Sequence, residues 1–459
     1  MNEKSVLNEI AKREFGLDDN LNEISIADKY AELQKIIESS FDSRVWFLVD
    51  ACLSTIATLF LEDPVNPVGL NLVDGPSTEK TTVLSMFYGI HSIVYRTDSF
   101  TPAAFVSQAA NKSDKQLGKV DLLPKIQHKC LIIPELAPIF GASKEDLLRN
   151  FSILTRIFDG EGLMTDSGTH GRRGYEGDYR FAWIGATTPI SQNVWNIMGQ
   201  LGSRLLFLTA NNRLTQKERM KRAASNLTSK DNFKKKVAAC RLAINDYVKL
   251  LIDHKATGKY YQSITWDIEN DDQEIIEKIS CLAELTARAR SRVAWWALEG
   301  NAGSRDEGFT QPVIEGPERI SSILYSLARG HAILSGRRRL TEDDLPLIIA
   351  VSLSSMPDDR RQVIDLLTDP DNPDKSTTRG EVTSTEITDI LNISKHTAIK
   401  ILHILSILKI GTLTEGSGPT PDKFTLKNVY SWLLTDDFAH LRRIWESKRE
   451  ILGQENTPF

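Results

Sequence analysis

Between residues 68 and 210 the chain repeatedly alternates short, largely apolar strand-like runs with helix-like stretches, and this alternation constrains its fold more than any other feature. The runs are VGLNLVDG (Val68–Gly75), SIVYRTDS (Ser92–Ser99), KCLIIPEL (Lys129–Leu136), RFAWIGATTP (Arg180–Pro189) and RLLFLTA (Arg204–Ala210). Short apolar runs bounded by turn residues read as buried strands. Strands joined by helices form a mostly parallel sheet with helices on both faces, so an α/β core is expected. TTVLSMFYGI and a stretch from Pro102 to about Asn111 supply two of the helices. A third, KEDLLRNFSILTRIFDG, places Leu147, Phe151, Leu154 and Phe158 on one face. The glycine-rich GLMTDSGTHGRRGYEGDY reads as a hairpin.

The rest of the chain divides around this core. Helical periodicity fills residues 1–64, and the α/β unit spans 65–214. A helical unit at 215–367 follows, with one possible strand near YYQSITW. The linker TDPDNPDKSTTRG marks a boundary before a small module at 368–435 and a charged helix at 436–459. Lysine plus arginine number 56 against 61 acids, which excludes a generally basic nucleic-acid coat and leaves DNA contact to local clusters. The four cysteines lie far apart without a CxxC pair, so neither a zinc site nor a disulfide framework is expected. The first residues lack the apolar core of a signal peptide, and Val45–Leu61 is broken by Asp50 and small polar residues. A soluble, cytoplasmic protein without a membrane partner is the expectation. Trp295 and Trp296 read as helix packing residues, and Lys234–Lys236 and Arg337–Arg339 as solvated helix ends.

The chemistry concentrates after the first apolar run. A phosphate-binding loop needs small residues whose N–H groups turn inward, a lysine that reaches the β- and γ-phosphates, and a hydroxyl that holds Mg²⁺. Gly75, Pro76, Ser77 and Thr78 suit the loop, Lys80 the lysine and Thr81 the metal-holding hydroxyl, with Thr82 next to it. The usual glycine positions are filled here by Asp74 and Glu79. Further groups follow in order. Glu135 ends the third run, where a carboxylate can polarise an attacking water, and Pro134 stands where an aspartate usually precedes it. Thr187 and Thr188 end the fourth run and can sense the same water. Arg204 precedes the fifth run, placed to reach a neighbouring subunit's γ-phosphate, and Arg319 opens a helix as a second phosphate contact.

This ordered set resembles the AAA+ ATPase family over roughly residues 40–357. GPSTEKT is similar to a Walker A motif, LIIPE to Walker B, IGATT to sensor 1, LGSRLLF to an arginine finger and GPERI to sensor 2. The segment GPERISSILYSLARGHAILSGRRRLTEDDL resembles the helical lid of the MoxR and mini-chromosome-maintenance branch. The resemblance implies a P-loop core with a helical lid, ATP and Mg²⁺ as cofactors, and a homo-oligomeric ring, usually a hexamer, with ATP between subunits. Arg204 would act across the interface and Arg319 within its own subunit. Glu79 and Pro134 depart from the motifs, so ATP binding is implied more directly than turnover. The glycine-rich hairpin stands where that branch, and superfamily-3 helicases, grip DNA, making His170, Arg172 and Arg173 candidate DNA contacts.

The C-terminal stretch TSTEITDILNISKHTAIKILHILSILKIGTLTEG has the character of a winged helix-turn-helix. Thr383 and Glu386 form a capping box, Asn392–Ser394 the turn, and Ala398, Ile401, Leu402, Leu405 and Leu408 a buried stripe. Lys395, His396, Lys400 and His403 face outward as DNA-binding candidates, and Lys423 lies near the tip of the wing. The expected protein is an oligomeric, DNA-associated ATPase, a helicase-like motor or switch of mobile-element replication or anti-phage defence. Two alternatives stand beside it: a nucleotide-sensing scaffold with little hydrolysis and possible protein partners, and an ATP-gated winged-helix regulator.

Overall fold

A computed structural model describes residues 25–447, apart from 64–65, 77, 108–113, 168–170, 203, most of 210–229, 254–263, 298–306 and 370–374. The candidate residues Ser77 and His170, and the expected helical content of residues 1–24, lie outside the described residues.

Two helices come first, α1 (Ile26–Ser40) and α2 (Ser43–Ala57). Asp42 caps α2 by accepting the N–H groups of Arg44 and Val45. Every residue of α2 from Val45 to Ala57 is buried. A helix apolar on all sides must be enclosed. By length and composition Ser43–Phe60 is apolar enough to cross a membrane, contrary to the expectation, but 89% of that stretch is buried inside the protein. Its polar groups are satisfied internally: Ser54 Oγ donates to the Asp50 carbonyl at 2.8 Å and Thr55 Oγ1 to that of Ala51 at 2.8 Å.

The strands are β1 (Gly69–Val73), β2 (Val94–Arg96), β3 (Cys130–Ile133), the hairpin strands β4 (Gly162–Ser167) and β5 (Gly171–Glu176), β6 (Ala182–Thr187) and β7 (Leu205–Thr209). Five of them form a sheet in the order β2-β3-β6-β1-β7, and every pairing is parallel. The apolar runs are explained by burial on both faces. Leu70, Leu72, Ile132, Ile184, Leu206 and Leu208 belong to one core, whereas Leu131, Ile133, Trp183, Leu205 and Phe207 belong to the other. The first core holds α2 and α3 (Lys80–Met86). The second holds α4 (Lys144–Ile157) and α5 (Gln192–Leu201), with Leu147, Phe151, Leu154 and Phe158 turned into it as expected.

The helical region contains α6 (Lys230–Asp253), α7 (Gln273–Arg290), α8 (Glu318–Leu334), α9 (Leu345–Ser354) and α10 (Asp358–Thr368). It shares the first core with α1 and α2, so residue 64 is no packing boundary. Gly330 of α8 meets α2 so closely that a Cβ there would lie 2.2 Å from the Ser54 carbonyl oxygen. Three local expectations change. Of the helix expected from Pro102, the described residues 102–107 hold a 3-10 turn at Pro102–Ala104, while part of the polar stretch after it forms a helix at Asp114–Val120. Of the possible strand near YYQSITW, residues 260–263 lie outside the described residues and Ile264 forms a bridge to Leu61. Trp295 and Trp296 lie in a strand, β8 (Trp295–Ala297), paired with β9 (Glu307–Phe309) rather than in a helix. That pairing depends on a partner absent from the local pattern.

The C-terminal unit runs β10 (Glu381–Thr383), α11 (Ser384–Leu391), α12 (Lys395–Ile407), β11 (Gly411–Thr414) and β12 (Lys423–Leu426), with its strands ordered β10-β12-β11 and antiparallel. The capping box forms, Asn392 adopts the left-handed turn and Ser394 caps α12. Ala398, Ile401, Leu402, Leu405 and Leu408 are all buried. Helix α13 (Asp436–Ser447) returns to the main body, where Trp445 lies against Phe47 with ring centroids 3.7 Å apart.

Glu386 holds this unit's entry together. Its carboxylate accepts N–H groups from Ser376 (2.7 Å), Thr377 (2.8 Å) and Thr383 (2.8 Å). Burial opposes its charge, but these bonds outweigh burial and hold its pKa down from 4.5 to about 2. Glu386→Gln should therefore cost about 2 kcal/mol, since bonds to a charged acceptor are lost. A depressed folded pKa gives stability that is present above 4.5 and lost as pH falls toward about 2. Urea unfolding should show the variant's deficit in full at about pH 7 and much reduced at about pH 3.

Candidate nucleotide site and interfaces

The loop after β1 is built by hydrogen bonds that carry the chain across the carboxyl end of the sheet. The Asp74 N–H donates to the Thr187 carbonyl of β6 at 3.3 Å. The Gly75 N–H donates to Asp74 Oδ1 at 2.6 Å, and Thr78 Oγ1 to the Gly75 carbonyl at 2.7 Å. The chain enters α3 through Glu79, in the left-handed region at φ 54° and ψ −5°. The site reserved for glycine in the usual pattern thus has the conformation glycine favours, but carries glutamate. A non-glycine residue there costs about 1–2 kcal/mol. Glu79→Gly should relieve about 1 kcal/mol of that strain and remove a charge beside the loop. A raised melting temperature together with tighter Mg·ATP binding is the expected pair of results.

Lys80 is only 7% exposed, and its ammonium is turned into the loop. It donates to the carbonyls of Asp74 (2.7 Å) and Gly75 (2.6 Å) and to Thr78 Oγ1 (3.0 Å). Burial pulls its pKa down, while Asp74 and Glu135 pull it back up. Burial raises the Asp74 pKa against the Gly75 N–H, Lys80, Thr78 and Arg44. Asp74 Oδ2 is buried without a hydrogen-bond partner among the described residues. Arg44, delivered by α2, is the residue at this loop that sequence reading missed. Arg44 stands in the first turn of α2, paired with Asp42 at 2.6 Å, and nothing around it in the chain signals that it comes within electrostatic reach of Asp74.

Strand order decides what surrounds the lysine. With β6 between β1 and β3, Val73 pairs with Thr187 and Ile133 with Gly185. Buried Thr187, half-buried Thr188 and exposed Glu135 therefore gather at the same carboxyl edge as the loop. Crevices at that edge are where open α/β sheets bind ligands. Glu135 accepts the Ala137 N–H at 2.9 Å and keeps its charge within electrostatic reach of Lys80. Pro76 and Thr81 are exposed, and Thr82 half-buried, around the first turn of α3. Among the described residues no group of three or more His, Cys, Asp or Glu could hold a metal ion. A hydroxyl and a carboxylate beside phosphate oxygens suit a hard ion such as Mg²⁺, which takes few protein ligands.

The two arginines stand elsewhere. Leu205 pairs with Gly69 at the amino end of β1, so Arg204 is a strand length, about 15 Å, from the loop. It is buried, donating through Nε (3.0 Å) and Nη2 (2.8 Å) to Asp159 and through Nη1 to the Gly202 carbonyl (2.8 Å). It does not project from the chain as an interface arginine would. Half-buried Arg319 lies at the same end, its Nη1 3.5 Å from the position a Cβ would take on Gly202. The contact expected between Arg319 and its own loop is therefore not made.

The DNA candidates also separate. Arg173 is turned inward, its guanidinium bound to the fully buried Asp121 at 2.5 Å and to the Ser107 carbonyl. Its expected role as an exposed phosphate contact is overturned, because neighbours on a strand face opposite sides. Arg172 stays exposed and pairs with Glu176 at 2.8 Å. Lys395 and His396 are exposed at the start of α12, and Lys400 and His403 are half-buried along it. Lys423 opens β12 and is drawn onto Glu381 at 2.8 Å, away from the wing tip.

No family model matches this sequence, and no curated protein matches it.

Proposed function

We propose that this chain is an ATP-binding AAA+ protein that assembles with copies of itself and works in association with DNA. One observation carries the reading: the strand order sets a lysine-bearing loop, two threonines and a carboxylate along one edge of a parallel sheet. In this reading Lys80 and the backbone of Gly75–Thr78 hold the β- and γ-phosphates. The Thr81 hydroxyl and Glu135 flank Mg²⁺, which neutralises phosphate charge when bound. Glu135 orients the attacking water, and Thr188 senses it. Helices α7–α10 serve as the lid. Arg319, at the far edge of the sheet, acts on the nucleotide of a neighbouring copy.

The C-terminal unit supports the DNA part. Its two helices and three-stranded sheet have the element order of a winged helix, with Lys395 and His396 exposed where α12 begins. A low-turnover scaffold is favoured by a different observation. Asp74 and Glu135 set two carboxylates near the lysine, Glu79 precedes it in the chain, and Pro134 stands where an aspartate is usual. Calorimetric titration with Mg·ATP tests the first reading, and no heat of binding at millimolar nucleotide would sink it. Phosphate release with and without DNA then separates the two, because binding without release selects the scaffold.

A further inference from the structure

A concentration of positive charge lies outside every functional residue assigned above. Between residues 213 and 241 ten Lys and Arg stand against two acids, in a chain whose net charge is -5. The part of that stretch used here is the first half of α6, where Lys234, Lys235, Lys236 and Arg241 fall within eight residues. Residues 232–245 contain no acid, and the next one, Asp246, lies 3.8 Å from Lys249. Cys240, Ile244, Tyr247, Val248 and Leu251 turn the other face of α6 into the core. Lys234 and Lys235 are therefore exposed, and Lys236 and Arg241 half-buried. None of these four cations makes an ion pair among the described residues. Exposed Ala238 and Ala239 lie between them and leave the surface open to close approach. Arg241 is held in place, its Nε donating to the Ser85 carbonyl at 3.0 Å near the end of α3. Its guanidinium carbon lies 6.0 Å from the centre of the Tyr88 ring, which Arg96 also covers at 4.2 Å.

We propose that the first half of α6, through Lys234, Lys235, Lys236 and Arg241, grips the phosphate backbone of duplex DNA without reading its sequence, as a second surface beside the winged unit. The proposal rests on the DNA reading above. Uncompensated cations on one face release counterions when phosphates replace them, and this term drives sequence-independent binding. Lys234 and Arg241 are seven residues apart and share a face, roughly 10 Å along the axis. That span matches about three phosphate steps of roughly 3.4 Å on one strand. Single strands are bound by stacking bases on open aromatic faces, and half-buried Tyr88, covered by Arg96, offers none. A lipid surface fits less well, because a helix lying on a membrane buries a broad apolar face. Leu242 is the one large apolar side chain exposed on α6 among the described residues.

The test titrates the full chain into two duplexes of unrelated sequence, read by fluorescence anisotropy over a range of salt concentrations. It compares wild type with Lys234→Ala/Lys235→Ala, with Lys234→Arg/Lys235→Arg and, in the winged unit, with Lys395→Ala. Both α6 lysines are exposed, so the melting temperature should be that of wild type. The alanine pair should lose about tenfold or more in affinity at about 100 mM salt, equally on both duplexes. Its plot of log affinity against log salt should be shallower by about 2, one for each phosphate contact removed. The arginine pair keeps the charge and should keep both affinity and slope. An alanine pair with wild-type affinity and slope overturns the proposal. So does a deficit confined to one duplex, or one seen on single-stranded DNA or RNA but not on duplex. Loss of binding to phosphatidylserine vesicles with duplex binding intact assigns the patch to lipid and overturns it too. Wild type that binds no DNA defeats the DNA reading itself. Binding weakened by Lys395→Ala but not by the alanine pair defeats this inference alone.

Discussion

Replacing His331 with leucine should lower the stability of the protein by about 3–5 kcal/mol, the cost of leaving buried charge without its partner. His331 Nδ1 lies 2.6 Å from Asp344 and Nε2 3.3 Å from Asp50, and both carboxylates are buried. Tyr30 donates its hydroxyl to Asp50, and Arg337 makes two bonds of 2.8 Å to Asp344. The cluster ties α1 and α2 to α8 and to the turn before α9, so its loss loosens the junction between the first helices and the helical region. Burial works against the imidazolium, but Asp50 and Asp344 prevail and raise the His331 pKa from 6.5 to about 10. A raised folded pKa means the contribution is complete below 6.5 and disappears as pH climbs through about 10. Tyr30, pushed up by burial and by Asp50, adds to the alkaline loss. Chemical unfolding from about pH 6 to about pH 10 should show wild type losing stability while His331→Leu changes little. A variant within about 1 kcal/mol of wild type at neutral pH would mean that the two carboxylates are not held in opposition.

Lys80→Ala should weaken Mg·ATP binding by about 100-fold or more, or about 2.7 kcal/mol, in calorimetric titration. Lys80 directs its donors into the loop, and a phosphate oxygen offers full charge where the Asp74 and Gly75 carbonyls offer only dipoles. Ligand entry therefore exchanges weaker bonds of the ammonium for stronger ones. The substitution removes the one ammonium set among Asp74 and Glu135, so their repulsion of the triphosphate goes uncompensated. Thermal unfolding should fall only modestly, because Lys80 is buried but its three bonds stay within one loop. Unchanged affinity in a folded variant would disprove the loop assignment.

The core was legible because its signals are local. The apolar runs at Gly69–Val73, Cys130–Ile133 and Leu205–Thr209 could only be strands covered on both faces. The Thr383–Glu386 capping box and the Ala398–Leu408 stripe follow from spacing within a turn or two of helix. The charged residues were less legible. Arg337 read as a solvated helix end but is bound to Asp344. Arg173 read as a hairpin-tip donor but is closed onto Asp121, 52 residues away. Trp295 and Trp296 read as helical because β9 lies beyond the window in which periodicity operates.

By itself the chain determined the strands of the parallel sheet, its longer amphipathic helices and the capping box at Thr383, and that a lysine follows the first strand. Those choices are governed by backbone preference and by apolar periods a few residues long. Only the tertiary structure decided which cations remain available, bringing Arg44 toward the loop, closing Arg204 onto Asp159 and carrying Arg319 to the opposite edge. An ion's partner is chosen by packing between segments distant in sequence, and no short-range pattern encodes that distance.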